Sequence, residues 1–337
     1  MRVLLYVSKF PDVEKSGVGM ALRHQKKALD LVGVDYTTNP NDDYDIIHVN
    51  TIFPDSILIT NKAKQKGKKV VFHAHSTEED FKNSFKFSNI GAPAFKQWLK
   101  HCYNKADILL TPTPYSKKLL ESYGLKQKII PISNGIDLNF WKKNANDREN
   151  FIKKYNLSKN DKIIMSVGLY IERKGMLEFI ELARRMSEYK FIWFGYTAPS
   201  LRTKKIADAL KNKPDNLILP GYVNSDELRE AYGACDIYVF PTKEETEGIV
   251  LLEALAMKID TIISDIPIYD DWLKDGYNVY KAKTVSDFEA KIRGIFDKSL
   301  PSVTDMGYKI AKQRDIKKIG LELKRIYESL LVQNVTK

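Results

Sequence analysis

Short apolar runs alternate with longer mixed segments from residue 1 to about residue 158. Continuous apolar strands of this kind, separated by helices, predict a parallel sheet that is covered on both faces. The predicted strands are 3–7, 45–50, 69–73, 107–112 and 129–133, and the predicted helices are 20–32, 55–67, 94–103 and 116–123. Ligands of such sheets bind beyond the carboxyl ends of the strands, so the loops that follow the strands are the first place to look for function.

The same alternation resumes after a polar stretch at 142–161, which we interpret as a linker. The predicted strands there are 162–168, 191–194, 217–219, 235–241 and 259–264, and the chain closes with predicted helices at 303–314 and 316–332. A chain of 337 residues exceeds what one hydrophobic core usually supports. We therefore predict an α/β protein of two Rossmann-like domains, 1–158 and 159–315, followed by a terminal helical segment, 316–337.

The stretch 244–257, EETEGIVLLEALAM, places a carboxylate in an otherwise apolar helix. Apolar side chains cover most of this helix, which predicts a buried element. Burying Glu253 costs free energy unless a partner or a ligand hydrogen-bonds to its carboxylate. The helix start adds a second feature, because Gly248 allows a ligand to approach the unpaired N–H groups of Ile249 and Val250.

Together these features predict a ligand cradle. The N–H groups at the helix start favour a phosphate, and an ionised Glu253 can only accept hydrogen bonds, which a ribose diol supplies. Glu245, in the loop before the helix, would then reach a sugar attached beyond the phosphates. The simpler alternative is that Glu245 and Glu247 merely favour a helix N-terminus, but that alternative does not explain Glu253.

Three further loops follow strands of the first predicted domain. Gly17 and Gly19 allow the backbone to approach a phosphate or a sugar, although a plain turn explains them equally well. His73 and His75 lie at the end of a predicted strand, without a third residue in view to complete a metal site. The loop 133–137 contains Asn-Gly, a turn signal that we interpret as a hinge.

Hydrophobic residues make up 43% of the chain and charged residues 29%, as in ordinary globular proteins. No apolar run approaches the roughly 20 residues that cross a bilayer, and the run at the N-terminus is too short for a signal peptide. Cys102 and Cys235 stand in apolar surroundings in different predicted domains, which favours a reducing compartment over a disulfide. Asp43 and Asp45 lead directly into a predicted strand, so we predict no metal site there.

The spacing around the buried glutamate resembles the E-x(7)-E signature of retaining glycosyltransferase family 4, whose members have the GT-B fold of two Rossmann-like domains facing a cleft. The residues that carry this resemblance are Pro241, Glu245, Gly248, Leu252, Glu253 and Ala254. The resemblance implies that Glu253 holds the ribose of a nucleotide sugar and that Glu245 contacts the transferred sugar. In the first domain it implies that Gly17 and Gly19 form a glycine loop across the cleft and that His75 contacts the donor sugar.

A second motif, 168–175, resembles the family pattern G-R-L-x-x-x-K-G, in which the Lys and the Arg clamp a pyrophosphate. Lys174 fits this pattern, whereas Leu169 stands where the Arg is expected, and we predict that Arg173 compensates. Basic groups at this position would stabilise the charge that develops on a leaving pyrophosphate. The resemblance also implies that the last helix crosses back onto the first domain.

Charge is unevenly distributed along the chain. Residues 1–160 contain 26 Lys and Arg against 16 Asp and Glu, and residues 161–337 contain 28 against 27, so nearly all of the net charge of +11 lies in the first half. This asymmetry predicts an anionic partner, either nucleic acid or an acidic membrane. The segment 81–87 interleaves three phenylalanines with two lysines, which suits an anionic membrane surface as well as it suits a solvated basic loop.

The motifs at 73–81, 133–137, 172–175 and 244–255 together look most similar to bacterial glycolipid synthases that add a second hexose to glucosyl-diacylglycerol. The resemblance implies a retaining α-hexosyltransferase that moves glucose or galactose from a UDP-sugar to a membrane glycolipid such as α-monoglucosyldiacylglycerol. It implies no cofactor and no metal, with an anionic lipid as a candidate activator. The expected location is cytoplasmic, at the inner face of the cell membrane.

Three alternatives stay open. A glycosyltransferase for capsular or secreted polysaccharide would share every donor residue, and a nucleotide-sugar epimerase on the same fold would act without an acceptor. A nucleic-acid-binding module would explain the positive charge but not the buried Glu253, so we predict no nucleic-acid partner. The oligomeric state, the donated hexose and the linkage leave no signal in the sequence.

Overall fold

The computed structural model describes residues 1–8, 13, 16–86 and 88–332, and the chain divides into two compact units. As far as they are described, Met1–Glu79, Gly91–Asp137 and Arg314–Lys337 form the first unit. Asp80–Ile90 and Leu138–Gln313 form the second. The units are thus interleaved along the sequence, a division that differs from the continuous domains expected from the sequence.

Each unit is built on a parallel sheet of six strands. The first sheet contains β1 (Arg2–Tyr6), β2 (Asp35–Thr37), β3 (Ile46–Val49), β4 (Lys69–His73), β5 (Ile108–Thr111) and β6 (Lys128–Pro131), in the order β2-β1-β3-β4-β5-β6. The second contains β7 (Ile163–Val167), β8 (Lys190–Phe194), β9 (Leu217–Gly221), β10 (Ile237–Phe240), β11 (Asp260–Ser264) and β12 (Tyr280–Ala282), in the order β12-β11-β10-β7-β8-β9. The predicted α/β architecture of two parallel-sheet domains is confirmed.

Helices connect the strands and cover the sheets. They are α1 (Gly17–Leu31), α2 (Pro54–Gln65), α3 (Glu78–Phe81), α4 (Ser88–Tyr103), α5 (Pro114–Ser122), α6 (Asp147–Lys154), α7 (Met176–Arg185), α8 (Lys204–Lys211), α9 (Ser225–Ala234), α10 (Ile249–Ala256), α11 (Val285–Phe296), α12 (Thr304–Gln313) and α13 (Ile316–Val332). None of these described helices combines the length and the apolar character that a membrane span requires.

The strands of the first unit bury side chains on both faces, because successive residues of a strand point to opposite sides. Leu4 packs with α2, α4 and α5, whereas Val3 and Leu5 pack on the opposite face. That opposite face is covered by α1 and by α13, whose Leu323 and Leu330 lie in the same apolar cluster. Burying a leucine side chain contributes about 2 kcal/mol, so the last helix is an integral part of the first unit.

The segment 138–158 belongs to the second unit because its helix α6 packs against α9. The buried Asp147 of α6 pairs with Arg229 of α9 at 2.8 Å, and Arg148 reaches Asp236, the residue before β10, at 3.1 Å. Phe151, one turn after Asp147 in α6, is also buried. The sequence assigned this segment to the first domain. That assignment was wrong because a polar sequence does not show which helix it packs against.

Candidate functional site

Three segments of the second unit bring most of the predicted donor-site residues together. A short 3-10 turn, Glu172–Lys174, follows β7, the loop 241–248 follows β10, and α10 begins directly after that loop. Because β7 and β10 are neighbours in the sheet, these segments lie side by side at its carboxyl edge. Gly175 permits the close approach: its φ is +79°, and a Cβ there would lie 2.1 Å from the carbonyl oxygen of Pro241.

Lys174 and Glu245 form a buried ion pair in this group. The ammonium of Lys174 contacts the carboxylate of Glu245, and the two side chains are 16% and 7% exposed. Burial lowers the pKa of Lys174, and the Glu245 carboxylate opposes that shift. Each residue supplies the charge that makes burial of the other tolerable. Removing either one alone would therefore leave a buried charge without its partner.

Arg173 is engaged with protein groups. Its guanidinium pairs with Asp80 at 2.7 Å and donates to Oγ of Ser84 and to the carbonyl of Glu244, both at 2.9 Å. Burial raises the pKa of Asp80, and the nearby Arg173 opposes the rise. Arg173 thus links Asp80 and Ser84 to the loop 241–248. Its predicted contact with a pyrophosphate would compete with these bonds.

Helix α10 begins at the residue after Gly248. Gly248 has a φ of +90°, and a Cβ there would lie 3.0 Å from the ring of Phe240, so both backbone and packing favour glycine. Ile249 and Val250 occupy the first turn, where N–H groups have no intrahelical acceptor. Leu169, at the position where the family pattern has an arginine, is an exposed apolar side chain and supplies no cation.

Glu253 lies inside α10 and is 1% exposed, as the apolar pattern of the helix predicts. Two buried phenols approach it, Tyr232 from α9 and Tyr238 from β10. Burial, Tyr238 and the Glu253 carboxylate raise the pKa of Tyr232, and burial and Glu253 raise the pKa of Tyr238. The Tyr232 hydroxyl donates to the carbonyl of Val250 at 2.8 Å, which ties α9 to the first turn of α10.

Two more buried groups near this loop were not among the predicted site residues. Glu247, which the sequence assigns only to the helix start, is buried. Tyr269, in a short turn after β11, has a pKa raised by burial and then by Glu245. The only sequence signal for either residue is its position beyond a strand of the sheet, and that signal does not show which carboxylate a tyrosine approaches.

Gly17 and Gly19 lie in the first turn of α1, whereas the sequence placed them in a loop before a helix starting at residue 20. The reason is the cap: Oγ of Ser16 accepts a hydrogen bond from the N–H of Gly19 at 3.3 Å. The predicted glycine loop is therefore a capped helix N-terminus in the first unit. Lys15, from the same motif, lies outside the described residues.

His75 follows β4 in the first unit and is half-buried. Its ring stacks on that of the buried His73, with 4.2 Å between the centroids, and its Nε2 lies 2.9 Å from Oδ1 of Asn50. Burial lowers the pKa of His75 to about 3, so its imidazole is neutral at physiological pH. Its predicted contact with a donor sugar would therefore use a neutral ring.

Asp43 and Asp45 have structural partners. Asp43 pairs with Lys68 at 3.0 Å, and Asp45 accepts a hydrogen bond from the N–H of Arg2 at 2.8 Å. Within the part of the chain that the structure describes, no three His, Cys, Asp or Glu side chains are grouped closely enough to hold a metal ion.

Residues 81–86 of the segment 81–87 precede α4 and include exposed side chains. Phe85 is half-buried, Lys86 is exposed, and Ile90 is 80% exposed. Phe87, from the same motif, lies outside the described residues. A shallow cavity of about 260 Å³ separates this segment from the residues that follow β7 and β8, and its lining includes Asn83, Phe85, Lys86, Ile90, Glu172 and Thr203.

Comparisons with known proteins identify relatives of both halves of the chain. Residues 147–313 match the family described as Glycosyl transferases group 1, and residues 26–140 match Glycosyltransferase Family 4. The processive diacylglycerol alpha-glucosyltransferase of Acholeplasma laidlawii is 42% identical over 98% of this chain and 99% of its own length. The alpha-galactosylglucosyldiacylglycerol synthase of Streptococcus pneumoniae is 25% identical over 80% of this chain and 74% of its own.

Solved structures with a similar fold extend over nearly the whole chain. Anabaena HepE in complex with UDP-glucose gives a TM-score of 0.78 at 15% identity and covers 98% of this chain and 100% of that one. The sucrose-phosphate synthase of Thermosynechococcus elongatus gives 0.80 at 16% identity, with 99% and 100% covered. At these identities the likeness shows the fold alone, and it confirms the predicted GT-B architecture.

Proposed function

Because the chain belongs to the group 1 and family 4 glycosyltransferases, we propose that it transfers a hexose from a UDP-sugar to a glycolipid acceptor in a membrane. The observation that carries this proposal is the 42% identity, over nearly the full length of both chains, to a diacylglycerol alpha-glucosyltransferase. The donor is UDP-glucose or UDP-galactose, the acceptor is α-monoglucosyldiacylglycerol, and the anomeric configuration is retained.

The donor occupies the carboxyl edge of the second sheet in this proposal. Glu253 accepts hydrogen bonds from the ribose hydroxyls, and the N–H groups of Ile249 and Val250 bind phosphate at the start of α10. Glu245 accepts hydrogen bonds from the transferred sugar. As the bond between sugar and phosphate loosens, negative charge develops on the pyrophosphate, and the Lys174 ammonium stabilises it.

The ion pair between Lys174 and Glu245 gives both residues a partner before the donor arrives. A donor that supplies hydroxyls to Glu245 and phosphate oxygens to Lys174 replaces one set of interactions with another, so neither charge is left buried alone. We assign Arg173 to the support of this loop, because its guanidinium already holds the Glu244 carbonyl, Asp80 and Ser84.

The acceptor approaches from an anionic membrane surface in this proposal. In the second unit, the exposed Lys86 and Ile90 offer a cation and an apolar side chain at the rim of the same shallow cavity. In the first unit, α2 exposes Leu58 together with Lys62, and the exposed Lys66 follows the last residue of this helix. Each basic residue near an anionic surface contributes about 1 kcal/mol, which favours a peripheral location at the inner face of the cell membrane and an anionic lipid as activator.

The test measures UDP release from UDP-glucose and from UDP-galactose, with plain vesicles and with vesicles that contain diacylglycerol or α-monoglucosyldiacylglycerol plus an anionic lipid. We expect release that requires the glycolipid and falls by about 100-fold in Glu253→Ala and in Glu245→Ala. Glu149→Ala, an exposed glutamate of the same unit, is the matched control and keeps wild-type activity.

Release that ignores lipid would refute the acceptor and favour a polysaccharide glycosyltransferase. Interconversion of the two UDP-sugars without any acceptor would identify an epimerase. Full activity in both glutamate variants would refute the donor site, provided that their unfolding curves match that of the wild type. Release with diacylglycerol as well as with the glycolipid would show that the enzyme also adds the first sugar.

A further inference from the structure

A cavity of the second unit lies beside the proposed donor residues and has no role in the proposal so far. It has a volume of about 260 Å³, and described residues of the stretch 83–90 face Glu172 and Thr203 across it. Every described residue that lines it belongs to the second unit. Pockets for drug-sized ligands occupy about 300 to 1,000 Å³, so this cavity suits a ligand of about one sugar ring.

One wall of the cavity is held in place from behind by Arg173. The N–H of Arg173 donates to the carbonyl of Asn83 at 3.2 Å. Its guanidinium donates to Oγ of Ser84 at 2.9 Å and pairs with Asp80 at 2.7 Å. The N–H of Asn83 donates to Oδ1 of Asn89 at 2.8 Å, and Nδ2 of Asn89 donates to Oδ1 of Asn83 at 2.9 Å. The wall is therefore preformed, so a ligand does not have to order it.

The cavity offers both acceptors and donors to a ligand. Oε1 of Glu172 accepts from the hydroxyl of Thr203 at 2.8 Å, which orients the carboxylate. Among the described residues, only the ammonium of Lys205 pairs with Oε2, at 3.7 Å, and solvent screens this pair because Lys205 is 76% exposed. The amide nitrogen of Asn83 donates to no described residue, so its two N–H groups can bind a ligand.

Phe85 gives the cavity an apolar side. This residue is half-buried in the cavity wall. A pyranose ring carries C–H groups that pack on an aromatic ring, and its hydroxyls donate and accept hydrogen bonds. The carboxylate of Glu172 repels a phosphate, which makes the cavity unsuited to the pyrophosphate of a nucleotide sugar. The lining thus favours a neutral ligand with several hydroxyls and an apolar face.

We propose that this cavity binds the hexose of a glycolipid headgroup, with its ring on Phe85 and its hydroxyls hydrogen-bonded to Glu172 and Asn83. This inference rests on the proposed function, which supplies the glycolipid. The exposed Lys86 and Ile90 at the rim place a cation and an apolar side chain where the lipid part of the ligand would meet the membrane.

The cavity and the proposed donor residues share one short turn. Glu172 lines the cavity, and two residues later the ammonium of Lys174 contacts the carboxylate of Glu245. Arg173, between them, holds the cavity wall on one side and the carbonyl of Glu244 on the other. The turn Glu172–Lys174 thus joins the proposed acceptor cavity to the loop that carries Glu245.

The first experiment detects the sugar without transfer. Saturation-transfer NMR is recorded on the full-length protein with methyl α-D-glucoside as the probe and without UDP-sugar. We expect saturation of the ring C–H protons in the wild type and in Glu245→Ala, and its loss in Phe85→Leu. Binding that is lost in Glu245→Ala but kept in Phe85→Leu would place the glucoside in the donor site and overturn the inference, as would a wild type without saturation.

The second experiment measures KM with vesicles that contain α-monoglucosyldiacylglycerol. Phe85→Leu and Glu172→Gln should each raise KM for the glycolipid by about tenfold and leave KM for UDP-glucose unchanged. Phe85→Tyr, which keeps the aromatic face, should retain the wild-type KM for the glycolipid. Phe296→Ala, which removes a half-buried aromatic ring from another part of the same unit, is the matched control and should also retain it.

The leucine variant separates sugar binding from membrane insertion, because leucine is apolar but has no flat face. We expect Phe85→Leu to sediment with glycolipid-free anionic vesicles as the wild type does. Weaker sedimentation together with normal binding of the glucoside would show that Phe85 only inserts into the membrane, which overturns the inference. An unchanged glycolipid KM in both Phe85→Leu and Glu172→Gln would overturn it as well.

Failure of the proposed function would look different. A wild-type protein that transfers no hexose to the glycolipid but binds methyl α-D-glucoside, and loses that binding in Phe85→Leu, would refute the glycolipid transferase and support a sugar site in this cavity.

Discussion

The two units bury titratable side chains in opposite ways. In the second unit, Lys174 and Glu245 form an ion pair, whereas in the first unit His48 and His73 are neutral and linked by hydrogen bonds. A buried charge needs an opposite charge nearby, but a buried neutral imidazole needs only a donor or an acceptor. The buried ion pair of the second unit is therefore destabilised when one partner is removed. The buried histidines of the first unit are destabilised when the pH falls.

The ion pair suits the ligand that the second unit is proposed to bind. A pyrophosphate carries charge, and the Lys174 ammonium is suited to bind it. Changing the pH, the charged side chains and the hydrogen bonds separately tests whether the two units differ in this way.

Acidification should separate the units most strongly. Burial and then His75 lower the pKa of His48 to about 3, and burial lowers the pKa of His73 well below its usual range. As the pH falls below the unfolded-state pKa of about 6.5, the unfolded chain takes up protons first. Stability is therefore complete above that pH and is lost as the pH falls towards the folded-state pKa values, by about 2 kcal/mol at pH 5 for His48, and His73 adds to the loss in the same direction.

Hydrogen exchange resolved along the chain, measured at pH 7 and pH 5 and corrected for intrinsic rates, checks this prediction. Protection should fall in β3 and β4 more than in β10 and α10. His48→Gln should weaken the pH dependence, whereas His101→Gln, at an exposed position, should not. An equal loss of protection in both units would contradict the prediction.

Lys174→Met should destabilise the second unit by about 3 kcal/mol at pH 7, because it leaves the buried Glu245 carboxylate without its partner. The double variant Lys174→Met/Glu245→Gln should recover most of this loss while remaining inactive. Urea denaturation gives the free energies of unfolding. Lys243→Met, which breaks a pair with Glu178 from a half-exposed lysine, is the matched control and should cost less than about 1 kcal/mol. A double variant no more stable than the single one would count against the pairing.

Tyr327→Phe should destabilise the first unit by about 1 to 2 kcal/mol at pH 7. It removes the hydroxyl that is hydrogen-bonded to Nδ1 of His48 and leaves that buried nitrogen without this partner. Thermal and urea unfolding measure the loss. Tyr36→Phe is the control, since that hydroxyl is 3.5 Å from Asp30 and exposed. Equal effects of the two substitutions would show that the contact with His48 contributes no more than an exposed one.

Lys117→Ala should change stability by less than about 0.5 kcal/mol. Its ammonium lies 3.7 Å from Glu121 one turn along α5, with side chains 37% and 52% exposed, so solvent screens the pair. Urea unfolding at low and high salt checks this. A loss comparable to that of Tyr327→Phe would mean that burial is not what distinguishes the strong interactions of this protein.

The sequence predicted most strands of the fold because the apolar run of each strand can be recognised without knowing its neighbours in the sheet. The apolar runs predicted β1 and β3 to β11, but not β2 or β12, each of which is only three residues long. Side-chain alternation and helical periodicity depend on near neighbours in sequence, so they can be read without a structure. The boundary near residue 158 was misplaced, since the contact between α6 and α9 joins segments that are distant in sequence.

By itself, the sequence determined that Glu253 lies in a buried helix, that α10 begins after Gly248, and that Lys174 stands beyond a strand of the second sheet. Only the tertiary structure decided that Arg173 holds Asp80 and Ser84. Likewise, only the structure joined His48 to Tyr327, which lie 279 residues apart. The physical reason is that burial follows from local composition, whereas the partner of a buried polar group depends on which strands and helices become neighbours when the chain folds.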